Sequence, residues 1–149
     1  MRKLIKPLVF VLALVPFAVL LLRILQNNLG PDPVQELSLE TGEWTLRFLI
    51  IALAMTPLRR ITAQVEFARH RRMLGLFALF YATLHLAVWL VFLLEFRWFA
   101  MAEEIFERPY ITVGFSAYLI LLALGLTSPR VMVRKLGKNW KRLHKLVYV

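Results

Sequence analysis

The stretch LGLFALFYATLHLAVWLVFLL, residues 74–94, decides the fold class of this chain. It contains no charged residue, and crossing the hydrocarbon core of a bilayer takes about 20 apolar residues in a helix. Its single imidazole, His85, lies near the middle, where a polar ring is costly and therefore usually has a function. We predict a membrane-spanning helix whose centre carries a functional histidine.

The rest of the chain has the composition of an integral membrane protein. Hydrophobic residues make up 60% of its 149 residues, against about 45–50% in soluble domains. They are concentrated in four blocks, and a fifth begins at Leu143; the four blocks are residues 7–25, 44–58, 74–94 and 110–128. We predict an all-α integral membrane protein with four full transmembrane helices and the start of a fifth.

The charges between the blocks alternate in sign and predict one topology. The formal net charge of +10 comes from basic clusters that separate apolar blocks, so we interpret these clusters as topology signals and expect no nucleic-acid partner. Basic residues dominate the N-terminus, the second loop and the last segment, whereas acids dominate the first and third loops. Because Lys and Arg stay on the cytoplasmic side, the N-terminus is predicted to be cytoplasmic.

Both ends of the chain leave two interpretations open. The apolar run after Arg2, Lys3 and Lys6 suits a retained first helix or a secretory signal peptide, and no small-residue cleavage pattern follows it, which favours the helix. At the other end, WKRLHKLVYV opens a helix too short to span. We expect either a fragment of a longer protein, which we favour, or a segment lying in the interface.

The inventory of reactive side chains points to imidazole chemistry. The chain has no cysteine, which excludes disulfides and Cys-ligated metals. None of the four blocks contains Asp or Glu, which argues against ion and proton carriers, and the chain has no Gly-rich phosphate loop. In such a setting the natural partner of a histidine is a metal or a haem iron.

The face of the third helix that carries His85 supports two hypotheses. Small residues precede the imidazole and aromatic residues follow it at spacings of three and four, namely Gly75, Ala78, Ala82, Trp89 and Phe92. That arrangement would give a porphyrin room beside the ring. Alternatively, the small residues let two helices approach closely, with His85 bonded to a neighbouring Ser, Thr or Tyr.

The other two histidines are weaker candidates. His144 lies among basic residues at the start of the fifth block, where it is either a solvated interfacial residue or part of a site whose cations pair haem propionates or a flavin phosphate. His70 lies in the basic sequence RHRR and is interpreted as solvated. At 1.5 Å per residue, His85 lies about 16 Å into the core, whereas His144 is at the boundary. They are expected to serve different irons, unless the predicted boundaries are wrong by two turns.

Five segments together resemble a known family. In chain order they are GPDPVQELSLETGEWTLRFL, MTPLRR, RRMLGLFALFYATLHL, ERPYITVG and RKLGKNWKRLHKLVYV. They resemble the MsrQ family, the haem-binding membrane subunits of the bacterial methionine sulfoxide reductase system MsrPQ, within the ferric-reductase-like transmembrane group. The resemblance runs from about Gly30 to Val149.

The resemblance implies a fold, cofactors and partners. It implies a single ferric-reductase-like transmembrane domain over residues 1–149, apparently without the C-terminal helices of a six-helix family, in the bacterial inner membrane. It implies haem b, with His85 and His144 matching the family's ligand positions, a further histidine beyond this sequence, and FMN in some members. Electrons would pass from the quinone pool or a soluble flavin reductase to a periplasmic molybdopterin subunit, MsrP.

The predicted function is therefore electron transfer, and no catalytic residue is predicted because the chain has neither cysteine nor a recognisable molybdopterin site. Arg47, near the start of the second block, either extends its guanidinium to the interface, which we favour, or balances haem propionates on the periplasmic side. The alternative from another class is a non-redox membrane scaffold or transporter subunit, which would need no cofactor.

Overall fold

The chain is built from helices. The computed structural model describes residues 2–64 and 66–146, and no strand occurs in those ranges. The helices there are α1 (Arg2–Leu25), α2 (Pro33–Thr62), α3 (Glu66–Val88), α4 (Trp98–Glu107), α5 (Pro109–Leu126), α6 (Arg130–Leu136) and α7 (Lys138–Leu143). A π-helical turn, Trp89–Leu93, continues α3. The predicted all-α class is confirmed.

Three stretches of helix are long and apolar enough to cross a membrane: Ile5–Leu25, His70–Phe92 and Pro109–Leu126. They confirm three of the four predicted blocks to within a few residues. The remaining block, the second in chain order at residues 44–58, lies inside α2 and does not reach the same apolarity in the described chain. A fourth span therefore stays a prediction. Helix α7 ends at Leu143, where the fifth block was predicted to begin, and residues 147–149 of that block lie outside the described residues.

Helix α2 begins well before its apolar block because the sequence provides a start signal. Asp32 is the N-cap and its side chain accepts a hydrogen bond from the backbone N–H of Gln35 at 3.0 Å. Pro33 follows at the first helical position, where its missing N–H costs nothing. The helix ends at Thr62, and the C-cap residue Ala63 adopts a left-handed conformation with φ of 57°.

Residues Met1–Leu93 and Leu94–Val149 form two compact units. In the first unit α3 packs along α2, and α1 contacts both helices. The core of this unit is aromatic: Phe48 of α2 stacks on Tyr81 of α3, with ring centroids 5.2 Å apart and an angle of 16° between the planes. Ala78 is fully buried beside them, so the two helices approach closely at this level.

Helix α1 is fastened to α3 through its own backbone. Pro16 has no N–H and interrupts the hydrogen-bond ladder of α1. One residue further on, the hydroxyl of Tyr81 accepts from the N–H of Phe17 at 3.0 Å and donates to the carbonyl of Ala13 at 2.9 Å. These are the two groups that an α-helix pairs with each other. The side chain of Tyr81 therefore inserts into the ladder of α1 beside the proline.

Ion pairs join the ends of α1 and α2. The guanidinium of Arg23 lies 2.7 Å from a carboxylate oxygen of Glu36 and 3.3 Å from one of Glu40. Arg47, by contrast, pairs with Glu43 on its own helix and lies over the ring of Trp44 at 4.7 Å. Glu43, one turn earlier in α2, thus supplies a carboxylate partner for Arg47.

In the second unit α4 contacts α5, and α6 contacts α7. The hydroxyl of Thr112 in α5 donates to the carbonyl of Ile105 in α4, which ties the two helices at their junction. Gly137 separates α6 from α7 with φ of 51°, a conformation that favours glycine. Most of α5 is not covered by protein within the described residues, since only 6% of its apolar window is buried.

Candidate functional site

His85 lies on α3 and faces the first part of α2. Its Nδ1 is 2.9 Å from the backbone carbonyl oxygen of Ser38 and 3.3 Å from the hydroxyl oxygen of Thr41. His85 as a whole residue is exposed in the structure. Its Nε2 forms no hydrogen bond to a residue that the structure describes.

These contacts define which ring nitrogen carries the proton. A carbonyl oxygen can only accept, so the bond to Ser38 requires Nδ1 to donate. In a neutral imidazole the lone pair is then on Nε2. Nδ1–H bonded to a backbone carbonyl, with the Nε2 lone pair left for another partner, is the arrangement typical of histidines that bind metals.

The ring of His85 lies directly against Gly42 of α2. A Cβ atom placed on Gly42 would be 3.2 Å from Cε1 and 3.3 Å from Nδ1 of the imidazole. Such distances are shorter than ordinary contacts. Glycine at this position therefore allows the imidazole to pack on the backbone of α2.

The other residues of the predicted helical face support the two hypotheses, close helix packing and room for a porphyrin, each in part. Ala78 and Ala82 are buried, at 0% and 7% exposure, which fits close helix packing. A Cβ on Gly75 would meet nothing within 4 Å, so the space beside it is open. Phe92 was predicted on the same face and lies in the π-helical turn, where the i→i+5 pattern shifts the register. The α-helical spacing that was predicted between His85 and Phe92 is therefore wrong.

A cleft of about 430 Å³ lies between α1 and α2 in the first unit. Apolar side chains of α1 form one wall, and the charged groups at its edge are Arg23, Glu40 and Arg47. Because Arg23 and Arg47 already pair with glutamates, the edge of the cleft carries little excess positive charge.

His144 follows α7 in the second unit and is bonded differently. Its ring stacks on Trp140, with centroids 4.0 Å apart, and its Nε2 is 3.2 Å from the hydroxyl oxygen of Thr127. That hydroxyl donates its own proton to the carbonyl of Ala123 at 2.7 Å, so it accepts from Nε2–H. Binding of iron through Nε2 would therefore require His144 to leave Thr127.

His70 bonds to its own helix. Its Nδ1 donates to the backbone carbonyl of Glu66 at 2.9 Å, and the side chain is partly exposed. Among the described residues, no cluster of three or more His, Asp or Glu side chains could hold a metal ion.

The residues around His85 fit a haem ligand. The Nδ1–H of the imidazole is bonded to α2, its Nε2 carries the lone pair, and open space lies beside Gly75 on the same helix. Ser38, Thr41 and Gly42 were missed as site residues because their role depends on the register between two helices. The available signal was their position in the segment SLETGEW, residues 38–44, which belongs to the resemblance.

Comparisons with known proteins agree on one family. The family described as "Ferric reductase like transmembrane component" matches residues 8–149. The chain is 50% identical to the "Protein-methionine-sulfoxide reductase heme-binding subunit MsrQ" of Xanthomonas oryzae pv. oryzae, over 96% of this chain and 68% of that protein. A protein of the same name from Herminiimonas arsenicoxydans is 48% identical over 98% of this chain and 67% of its own length. No solved structure matches the chain.

Proposed function

This chain belongs to the ferric-reductase-like transmembrane family and, within it, to the MsrQ haem-binding subunits, and we propose that it carries electrons through haem b to a periplasmic methionine sulfoxide reductase. Membership and the apolar helices make it a multi-pass membrane protein with a role in electron transfer. The proposed partner is the molybdopterin subunit MsrP, which repairs oxidised proteins. The proposed electron donor is the quinone pool or a soluble flavin reductase.

The observation that supports this proposal best is the bonding of His85. The residue lies within an apolar helix that can span the membrane, and its Nδ1 is held by the carbonyl of Ser38. Bound haem would supply an iron that accepts and releases one electron at a time. His85 is proposed to hold that iron through Nε2, and α2 to keep the ring oriented.

His144 is proposed as a second ligand position, after release of Thr127 from its Nε2. The cations next to it, Lys141, Arg142 and Lys145, suit haem propionates or the phosphate of FMN, which the family resemblance suggests as a further cofactor. The family match extends over both compact units, which supports one transmembrane domain. We propose that it lies in the inner membrane with its N-terminus in the cytoplasm.

A reduced-minus-oxidised optical spectrum of membranes tests the proposal. Membranes containing the protein are expected to show b-type haem bands after dithionite reduction. His85→Ala should remove most of the signal because it removes a ligand, whereas the matched variant His70→Ala should keep it, since the hydrogen bond that the structure describes for His70 is to its own helix. A colourless wild-type protein under ample haem supply would contradict the proposed function.

A further inference from the structure

We propose that Thr41 and Gly42 of α2 are positioning residues that fix the tautomer and the ring plane of His85. This inference rests on the proposed function of His85 as a haem ligand. Thr41 acts on the protonated nitrogen, and Gly42 supplies the surface on which the ring lies.

Thr41 is suited to this role because its hydroxyl can only accept from His85. The residue is 2% exposed, and its hydroxyl proton is directed to the carbonyl of Leu37 at 2.7 Å, with that of Ser38 at 3.2 Å. With its proton committed, the oxygen presents a lone pair to Nδ1 of His85 at 3.3 Å. Two acceptors, this hydroxyl and the carbonyl of Ser38, therefore converge on Nδ1.

Gly42 is suited to its role by the absence of a side chain. A Cβ at this position would lie 3.2 Å from Cε1 and 3.3 Å from Nδ1 of the imidazole. The ring would have to turn or slide by a few tenths of an ångström, away from the geometry that aligns Nδ1 with Ser38. A haem-bound imidazole is held at Nε2 as well, so it can adjust less freely.

The expected consequence is electronic as well as steric. An imidazole whose Nδ1–H is bonded to a strong acceptor is a more basic ligand through Nε2. A more basic ligand favours ferric over ferrous iron and lowers the midpoint potential. Weakening the contacts from α2 should therefore raise the potential of the haem at His85.

The first test compares two glycine variants of the intact protein in membranes supplied with haem b. Gly42→Ala and Gly114→Ala each add one methyl group to a helix and improve helix propensity equally. A Cβ on Gly114, in α5, meets nothing within 4 Å, so the contact with His85 is what distinguishes Gly42→Ala. Gly42→Ala is expected to lower haem affinity about 10-fold or more and to raise the midpoint potential. Gly114→Ala should match the wild type in both.

The second test compares two threonines with the same local bonding. Thr45 donates to the carbonyl of Thr41 at 2.8 Å, as Thr41 does to that of Leu37, and its hydroxyl forms no hydrogen bond to His85. Thr41→Val should raise the midpoint potential, Thr41→Ser should restore it, and Thr45→Val should leave it unchanged. Equal potentials in Thr41→Val, Gly42→Ala and wild type would overturn the inference.

A measurement without haem separates this inference from the proposed function. Nitrogen NMR of the ¹⁵N-histidine-labelled apoprotein should show the Nδ1–H tautomer at His85 in the wild type and a mixture of tautomers in Gly42→Ala. If the wild type holds no haem while this difference is present, the proposed function fails and the positioning role stands. If haem is bound through His85 and the tautomer is the same in both proteins, only the positioning role fails.

Discussion

At the scale of single residues, the hydroxyl of Tyr81 in α3 joins that helix to α1. It accepts from the N–H of Phe17 and donates to the carbonyl of Ala13, on either side of Pro16 in α1, and the side chain is 1% exposed. Nothing in the sequence distinguishes this tyrosine, since a phenol on an apolar helix equally suits the lipid interface. His85 is different: its cost in an apolar run is visible in the sequence, and a neighbouring Ser, Thr or Tyr was one of the two expectations for it. The hydroxyl of Thr41 is such a neighbour, whereas the nearer acceptor, the backbone carbonyl of Ser38, depends on tertiary register.

Tyr81→Phe is expected to destabilise the protein by about 1–3 kcal/mol, because it leaves a buried N–H and a buried carbonyl of α1 without the hydroxyl. Thermal or denaturant unfolding in detergent measures the change. Tyr118→Phe is the control, since Tyr118 forms no hydrogen bond to any residue that the structure describes, and it should alter stability by less than about 0.5 kcal/mol. Equal effects of the two variants would mean that the bridge does not contribute.

At the scale of elements, apolar blocks predicted three helices well and α2 incompletely. An apolar run marks the part of a helix that lies in lipid, whereas the polar first turns of α2 are specified by the cap at Asp32 and by Pro33. The π-helical turn after Val88 was also missed, because an extra residue per turn leaves no mark in hydropathy. The first omission matters for the site because Ser38, Thr41 and Gly42 lie in those early turns of α2. The second matters because Phe92, which was predicted on the face of His85, lies in the π-helical turn.

The ion pairs between α1 and α2 give a prediction at this scale. Arg23→Gln removes the bonds to Glu36 and Glu40, which lie on another helix, and should cost about 1 kcal/mol, a small value because the groups are partly exposed. Arg47→Gln removes a pair within α2 and should cost about 0.3–0.5 kcal/mol. Limited proteolysis and unfolding in detergent should both rank Arg23→Gln as the less stable variant. The reverse ranking would contradict a role of Arg23 in joining the helices.

At the scale of the whole molecule, α3 has the most covered membrane segment of the three. Protein buries 28% of its apolar window, against 6% for α1 and for α5. Length and apolarity allowed the sequence to predict the spans, and the distribution of Lys and Arg gave the proposed orientation. Hydropathy alone could not reveal which of the three helices protein covers most, because lipid and protein cover apolar side chains equally well.

The proposed orientation can be tested cleanly because the chain has no cysteine of its own. Pro31→Cys, in the loop before α2, should react with a membrane-impermeant thiol reagent added outside the inner membrane. Gln64→Cys, in the loop before α3, should react only after permeabilisation; both positions are exposed in the structure. Labelling of Gln64→Cys alone in sealed cells would mean that the orientation is inverted.

The bridge made by Tyr81 also has a consequence for biogenesis. The hydroxyl reaches a backbone group 64 residues earlier in the chain, so α1 leaves the ribosome and enters the bilayer well before its partner has been synthesised. During that interval the turn around Pro16 must satisfy its backbone without Tyr81, in a solvent that offers no hydrogen bonds. Insertion of α3 then supplies the hydroxyl of Tyr81, which completes the backbone hydrogen bonding of α1 beside Pro16. The final conformation of the first helix is therefore reached only after the third has been translated.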